Sequence, residues 1–264
     1  MSGLAYQRDD YLDFCEGIRG LTGIDLGQYK RPQMERRIRS FAESRGAASL
    51  PDYLRRLSDD RAQLESFLDR MTINVSQLWR NPEQWDRIAT SVLPELAEAG
   101  RIRSWSAGCS YGAEAYTLAA LCRSTVPSAS AEVHGTDIDG RMVERARAGV
   151  FSEADARSAP PAELKRWFDR TENGDWQARA ELRMLTRFDT GDLLRDRFPK
   201  AGYDLVACRN VVIYFTEPVR DALHARLAES LRPGGYLLIG STERITAPAG
   251  MGLEPVHPFL YRRA

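Results

Sequence analysis

The sequence predicts an α/β domain preceded by an all-helical one, and three observations carry that prediction. From Asp10 to about Leu96 every periodic segment repeats its apolar residues at three- and four-residue steps, as amphipathic helices require. After Gly100 the pattern changes to short apolar runs alternating with helical segments, the order of a parallel sheet with crossover helices. The composition, 43% hydrophobic and 28% charged over 264 residues, is that of a globular chain long enough to bury its core without disulfides or metals. Residues 1–81 are expected to form the helical domain and a crossing linker, and 82–264 the α/β domain, with 152–188 a small antiparallel β insertion.

Each element has its own signal. Tyr11, Phe14, Cys15, Ile18 and Leu21 make one apolar stripe, which Gly20 and Gly23 end. Pro32 opens a second helix with Met34, Ile38 and Phe41 inward, Arg36 and Arg39 pointing away and Arg37 at the flank. A short helix covers about 51–57, and Ser58 or Asp59 caps another bearing Leu64, Phe67, Leu68 and Met71. Residues 72–81 break the period, and Pro82 restarts a helix with Trp85, Ile88, Val92 and Leu93. Beyond Gly100, residues 101–107 read as a strand, 108–112 as a tight loop and 113–122 as a helix. The strand at 132–136 ends on Asp137, and a helix runs from about 140 to 148. Within the insertion, 176–179 and 181–188 are expected to pair antiparallel, with Asn173-Gly174 a turn signal ahead of them. Residues 203–208 form a buried strand, 218–230 a helix, 235–240 a strand and 259–263 the last strand.

Charge and rare residues exclude several function classes. The 37 basic and 37 acidic residues leave no net charge, which argues against a nucleic-acid partner. Lys occurs only at positions 30, 165 and 200, so nearly all positive charge is guanidinium, which grips carboxylates in a two-pronged way. The four cysteines and three histidines are scattered without metal-ligand spacing, so reduced thiols and no metal are expected. No stretch approaches the ~18 apolar residues of a membrane span, and residues 1–13 lack a basic start. A cytoplasmic protein with no membrane insertion is therefore expected.

Strand, glycine loop, helix and a second strand ending in an acid describe a nucleotide-type cofactor site. Here the pieces are Trp105-Ser-Ala-Gly108-Cys-Ser-Tyr-Gly112 and Asp137, whose carboxylate suits ribose hydroxyls. Two cofactor classes fit. A dinucleotide needs a third glycine to seat its pyrophosphate at the helix start. This loop has two, and it places Glu114 where a phosphate would be repelled and the α-amino group of S-adenosylmethionine attracted. That favours S-adenosylmethionine over NAD. The run Leu231-Arg-Pro-Gly-Gly-Tyr-Leu-Leu-Ile239 reads as a helix end, a turn and a strand, and is similar to a segment of Rossmann-like methyltransferases.

The most specific run is Tyr203-Asp-Leu-Val-Ala-Cys-Arg-Asn-Val-Val-Ile-Tyr-Phe215. It resembles the F-D-x-I-x-C-R-N-V-x-I-Y-F segment of the CheR-type chemotaxis receptor glutamate methyltransferases. The likeness extends through Arg36-Arg37-Ile38, Asn74-Val-Ser-Gln-Leu-Trp-Arg80, Gly191-Asp-Leu-Leu194 and Gly235-Tyr-Leu-Leu-Ile-Gly-Ser-Thr-Glu243. The resemblance implies that Asn74 and Ser76 touch the cofactor and that Arg80 sits beside the methyl group and holds the substrate carboxylate. It further implies that Glu114 takes the methionyl amino group, Asp137 the ribose, and Asp192 and Leu193 the adenine surroundings. Arg209 and Asn210 would line the cleft, Tyr214 would face the acceptor, and Arg36, Arg37 and Arg39 would meet an acidic receptor helix. Two departures stand out: the family's T-x-F-F-R appears as Ser76-Gln-Leu-Trp-Arg80, and its G-E-E-P-Y as Gly112-Ala-Glu-Ala-Tyr116.

The expected fold class is thus α/β: a Rossmann-like S-adenosylmethionine-dependent methyltransferase domain with an N-terminal all-helical domain and a small antiparallel β insertion. The expected activity is methylation of glutamate side chains on the cytoplasmic helical domain of a chemoreceptor, by a monomer, with Arg80 and Tyr214 catalytic. The alternatives are another acceptor on the same fold, or a non-catalytic module that senses the cofactor.

Overall fold

A computed structural model describes residues 9–71 and 76–264. The chain forms two compact units: residues up to Ile73 together with Tyr214–Glu217, and Asn74–Ile213 together with Pro218–Ala264. The division thus precedes the expected boundary after 81, and four residues from late in the sequence belong to the helical unit.

The helical unit holds α1 (Asp10–Thr22), α2 (Arg31–Ser44), α3 (Leu50–Asp59) and α4 (Arg61–Met71). Asp9 caps α1 by accepting the Tyr11 N–H, and Gly23 closes it with φ 78°. The apolar stripes meet in one core built around Tyr11, Phe14, Ile18, Ile38, Tyr53 and Phe67. Asp60, rather than Ser58 or Asp59, caps α4, because α3 continues through Asp59. An antiparallel bridge joins Tyr29 to Phe215, whose rings sit 5.1 Å apart.

The sheet unit opens with α5 (Pro82–Arg87), a π-turn (Ile88–Val92) and α6 (Leu93–Ala97). There follow β1 (Arg101–Ala107), α7 (Ala113–Thr125), β2 (Ser130–Asp137), α8 (Gly140–Ala148), β3 (Val150–Phe151), α9 (Glu153–Ala156), α10 (Pro161–Trp167), β4 (Phe168–Arg170) and β5 (Trp176–Ala178). Then come α11 (Ala180–Arg183), β6 (Thr186–Thr190), β7 (Tyr203–Cys208), α12 (Glu217–Ser230), β8 (Leu231–Ile239), β9 (Leu253–His257) and β10 (Leu260–Arg263). The main sheet has the order β6-β2-β1-β7-β8-β10-β9. Its first five strands are parallel, and the β9–β10 hairpin adds antiparallel to β8. The first ten residues of α7 are all buried, four of them alanine, so this helix packs closely against the sheet.

Two expected elements are corrected. Residues 181–188 do not pair with 176–179: 180–183 is helical, and β6 lies parallel to β2 at the edge of the main sheet. The Asn173-Gly174 turn instead closes the hairpin it lies within, β4 to β5, with Gly174 at φ 83°; β3 completes a three-stranded antiparallel sheet. The run 231–239 is strand throughout. Tyr203 pairs with Leu231 and Leu205 with Tyr236, so Pro233-Gly234-Gly235 lies in a bulge rather than a turn before the strand.

Candidate functional site

Strand order reverses at β1, which pairs with β2 on one side and β7 on the other, and the crevice beyond such a reversal is where α/β sheets hold ligands. After β1 the chain turns through Gly108 (φ 78°), Ser110 (φ 50°) and Gly112 (φ 86°) into α7. A Cβ on Gly108 would lie 2.5 Å from Cγ2 of Val211, so that glycine serves both a left-handed turn and a close approach to the segment after β7.

Asp137 closes β2. Its Oδ2 accepts the Ser110 N–H at 2.7 Å and its Oδ1 the Asp139 N–H at 3.0 Å, which ties the loop after β1 to the turn after β2. Burial pushes its pKa up, and these N–H groups oppose the rise. A carboxylate offers about four lone-pair positions, so acceptor capacity remains for ribose hydroxyls. The Gly191 N–H donates to the Asp137 carbonyl at 2.9 Å and brings Asp192 and Leu193 alongside. The Asp192 carboxylate accepts the Leu194 N–H at 2.8 Å, and Leu193 is buried.

Glu114 stands in the first turn of α7. Its Oε1 accepts the Ser106 hydroxyl at 2.8 Å, and its Oε2 faces Arg209 Nη1 at 3.4 Å. Burial raises its pKa, while Arg209, the Ser106 hydroxyl and the charge of Arg80 pull the other way. Arg209 follows β7 directly. Its Nη2 donates to the Arg80 carbonyl at 2.7 Å and to Asn81 Oδ1 at 3.0 Å, and its guanidinium lies 4.8 Å from the Trp85 ring centroid. Trp85 Nε1 also donates to the Arg80 carbonyl, at 2.9 Å.

The segment carrying Arg80 is held from several sides. The Leu78 N–H donates to the Asp155 carbonyl at 2.9 Å, and the Trp79 N–H to Thr117 Oγ1 at 3.0 Å. The Tyr111 hydroxyl donates to the Ser76 carbonyl and contacts Asp155 Oδ1 at 2.9 Å. Trp79 (φ 53°) and Asn81 (φ 59°) flank Arg80 in left-handed conformations, which side-chain-bearing residues hold only when their surroundings enforce it. Asn210 repeats the feature after Arg209, at φ 61°.

Ser76, Arg80, Glu114, Asp137, Asp192, Leu193, Arg209 and Asn210 therefore all belong to the sheet unit, on the turns after its parallel strands and the segment entering α5. Asn74 lies outside the described residues. The donor and acceptor chemistry fits S-adenosylmethionine: buried Glu114 for an ammonium group, Asp137 for hydroxyls. Tyr111, Ser106 and Trp85 are contributors that sequence reading missed. Tyr111 lay within the glycine-loop motif, but its role depends on Asp155, 44 positions away.

Tyr214, Arg36, Arg37 and Arg39 belong to the helical unit. There a groove of about 520 Å³ is lined by Tyr29, Lys30, Arg36, Arg37, Arg70 and Tyr214, among others. Among the described residues Arg36, Arg37 and Arg70 have no acidic partner. Burial lowers the pKa of Arg37, with Tyr214 opposing and Arg70 adding to the shift. Arg39 does not line this groove; it pairs with Asp10 at 2.7 Å and Glu35 at 2.8 Å. Arg70 was missed because one arginine beside an apolar stripe carries no signal until α4 is placed against α2.

Among the described residues no cluster of His, Cys, Asp or Glu is arranged to hold a metal, and no helix is long and apolar enough to cross a membrane. His134 is engaged by Tyr203 at 2.8 Å and Asp189 at 2.9 Å, and burial pushes the pKa of His224 down to about 4.

Comparison with known proteins agrees with this arrangement. Residues 74–252 match the family model described as CheR methyltransferase, SAM binding domain, and 9–72 the one described as CheR methyltransferase, all-alpha domain. A chemotaxis protein methyltransferase of Listeria monocytogenes is 37% identical over 255 residues, covering 96% of each chain. Chemotaxis protein methyltransferase 1 of Pseudomonas aeruginosa is 32% identical over 247 residues, covering 89% of this chain and 90% of that one. With the site geometry and both domain matches in agreement, this chain belongs to the CheR methyltransferase family and is an S-adenosylmethionine-dependent methyltransferase.

Proposed function

We propose that this enzyme methylates glutamate side chains on the cytoplasmic helical domain of a chemoreceptor, yielding glutamyl methyl esters and S-adenosylhomocysteine for chemotactic adaptation. The observation that carries the reading is the 37% identity, along 96% of both chains, to a protein named as a chemotaxis methyltransferase. In this reading Glu114 takes the amino group of the cofactor, Asp137 its ribose, and Asp192 and Leu193 its adenine surroundings. Asn74, Ser76, Arg209 and Asn210 complete the binding surface. When bound, S-adenosylmethionine supplies an electrophilic methyl group on a positively charged sulfur.

The chain's own residues have a limited task. A glutamate side chain, with an ordinary pKa near 4.3, reaches the site already ionised, so no general base is needed. The carboxylate must be aligned and stripped of water. Arg80 orients it from a turn fixed by Arg209, Trp85 and Thr117, and Tyr214 of the helical unit is the second residue to which we assign a catalytic role. Arg36 and Arg37, joined by Arg70, attract the acidic face of the receptor helix. Arg39 acts from behind them, tying α2 to α1 through Asp10. The enzyme works as a monomer in the cytoplasm and has no nucleic-acid partner.

The test supplies labelled S-adenosylmethionine and a receptor signalling domain, then measures label released as methanol by mild alkali. Base-labile label is expected, and its absence with every receptor domain tried would sink the proposal. Arg80→Ala should depress transfer far more than cofactor binding, whereas Asp137→Ala should weaken cofactor binding by about 10–100-fold through loss of a charged hydrogen-bond acceptor.

A further inference from the structure

Asp155 lies in α9, the short helix after β3, and is no part of the cofactor or acceptor surface described above. Its two carboxylate oxygens face different partners. Oδ2 accepts the Ser152 N–H at 2.9 Å and the Ser152 hydroxyl at 2.8 Å, while the hydroxyl oxygen accepts the Asp155 N–H at 3.2 Å, so the residue closes a capping box on α9. Oδ1 lies 2.9 Å from the Tyr111 hydroxyl, which also donates to the Ser76 carbonyl. The Tyr111 ring is itself fixed: it is buried, and the Arg145 guanidinium sits 4.5 Å from its centroid. The Asp155 carbonyl accepts the Leu78 N–H at 2.9 Å. Between these two contacts the Gln77 amide donates to the Ser158 hydroxyl at 3.0 Å and accepts from Arg157 Nε at 3.1 Å. Asp155, Arg157 and Ser158 thus hold residues 76–78. The turn that presents Arg80 follows at once, closed by the Arg80 N–H donating to the Gln77 carbonyl at 3.3 Å.

We propose that Asp155 is a positioning residue for methyl transfer: together with Tyr111 it fixes the approach to the Arg80 turn, and so sets where that guanidinium stands. The turn needs such a hold, because Trp79 (φ 53°) and Asn81 (φ 59°) keep their left-handed conformations only under enforcement from their surroundings. Thr117 holds the Trp79 N–H, and Arg209 and Trp85 hold the Arg80 carbonyl, so the far side of the turn is secured from α7, α5 and the end of β7. The near side, 76–78, is secured from α9. That helix is tied in turn to the β4–β5 hairpin: Glu153 Oε2 accepts Trp176 Nε1 at 3.2 Å and pairs with Arg170 at 2.7 Å. The small antiparallel sheet therefore acts as a brace for Arg80. The inference rests on the reading of Arg80 as the group that orients the acceptor.

The experiment compares the full chain with Asp155→Ala, Asp155→Asn and Tyr111→Phe. It measures methyl transfer to a receptor signalling domain, S-adenosylhomocysteine binding by calorimetry, and hydrogen exchange at the amides of residues 78–80. Asp155→Ala should lower kcat about 100-fold, the effect of a small misplacement of a catalytic group, and speed exchange at those amides. Its affinity for S-adenosylhomocysteine should change less than about threefold. An asparagine amide can turn its oxygen to Ser152 and its NH2 to the Tyr111 hydroxyl oxygen, leaving the hydroxyl proton for the Ser76 carbonyl. Asp155→Asn should therefore recover most of the kcat and of the exchange protection. Tyr111→Phe keeps the ring and removes the link, so combined with Asp155→Ala it should lower kcat by less than the product of the two single effects. Unchanged exchange or unchanged kcat in Asp155→Ala overturns the inference, as do an Asn variant no better than Ala and single effects that multiply independently. An affinity loss equal to the loss of kcat overturns it too, by making the role one of cofactor binding. Should Asp155→Ala fail to fold, Tyr111→Phe decides: slower transfer with faster exchange at 78–80 supports the inference, and wild-type kcat overturns it. Wild-type enzyme that methylates no receptor domain would defeat the acceptor reading instead, and exchange at 78–80 would still judge the hold of Asp155 on the segment.

Discussion

Replacing Arg209 with Met removes the guanidinium while leaving an unbranched stem against Trp85. The guanidinium faces Glu114 at 3.4 Å, and the two side chains are only 3% and 11% exposed. Deleting one member of a buried pair costs about 3–5 kcal/mol, because the other charge is left unmatched. In a domain of roughly 200 residues each kcal/mol shifts Tm by about 2–4 °C, which gives a drop of about 6–20 °C near pH 8. The drop should depend on pH. Burial already raises the pKa of Glu114, and loss of Arg209 raises it further. A carboxyl whose folded pKa exceeds its unfolded one holds its proton more tightly when folded, so stability falls as pH rises between those two values. The penalty is complete above the folded pKa and is relieved by acidification toward about pH 5. Glu114→Gln keeps an acceptor for the Ser106 hydroxyl but abolishes the charge, so Arg209→Met should cost less in that background by about 1–3 kcal/mol. Thermal unfolding of the four proteins at both pH values is the assay. Equal losses of Tm in both backgrounds and at both pH values would refute the claim that the Arg209–Glu114 pair couples charge to stability.

Gly108→Ala should lose about 1–3 kcal/mol, since its φ of 78° disfavours a side chain and the new methyl would meet Val211 at 2.5 Å. A wild-type melting curve would contradict this. Arg37→Glu should raise KM for the receptor domain at least about tenfold while cofactor affinity stays constant; an unchanged KM would remove the groove from substrate recognition. Arg39→Ala should leave that KM unchanged and lower Tm by at most about 2–4 °C, because its network with Asp10 and Glu35 is well exposed.

The elements legible in the sequence are those whose burial is periodic. Helices α1 to α4 show their inward stripes, and the parallel strands β1, β2 and β7 end where turn residues or Asp137 stop them. What escaped notice is short, exposed or remote. Only Phe188 of β6 is buried, so its place at the sheet edge leaves no apolar run, and β3, β4 and β5 have two or three residues each, too few for alternation to show. In β9 only Leu253 is buried. The same division applies to the site. Glu114 and Asp137 were visible because local grammar placed them at the ends of a glycine loop and a strand. The grip of Arg209 on the Arg80 carbonyl spans 129 positions and follows from the fold alone. Likewise the pairing of Arg39 with Asp10, 29 positions away, separates it from the neighbouring Arg36 and Arg37 in a way no helical wheel reveals.

The bridge between Tyr29 and Phe215 has a consequence for how the protein is made. The Lys30 N–H donates to the Tyr214 carbonyl at 2.9 Å, and the Thr216 N–H to the Gln28 carbonyl at 3.0 Å, so the helical unit is completed by residues synthesised long after its four helices. Domains generally fold as units as they leave the ribosome, N-terminal first. Here α1 to α4 emerge first but remain without their closing segment until residue 217 has been translated, by which point β1, β2 and β7 are already available. Final closure of the first-born unit is thereby coupled to synthesis of the second. A nascent chain released before that point would carry neither the Phe215 ring against Tyr29 nor the Tyr214 wall of the arginine groove.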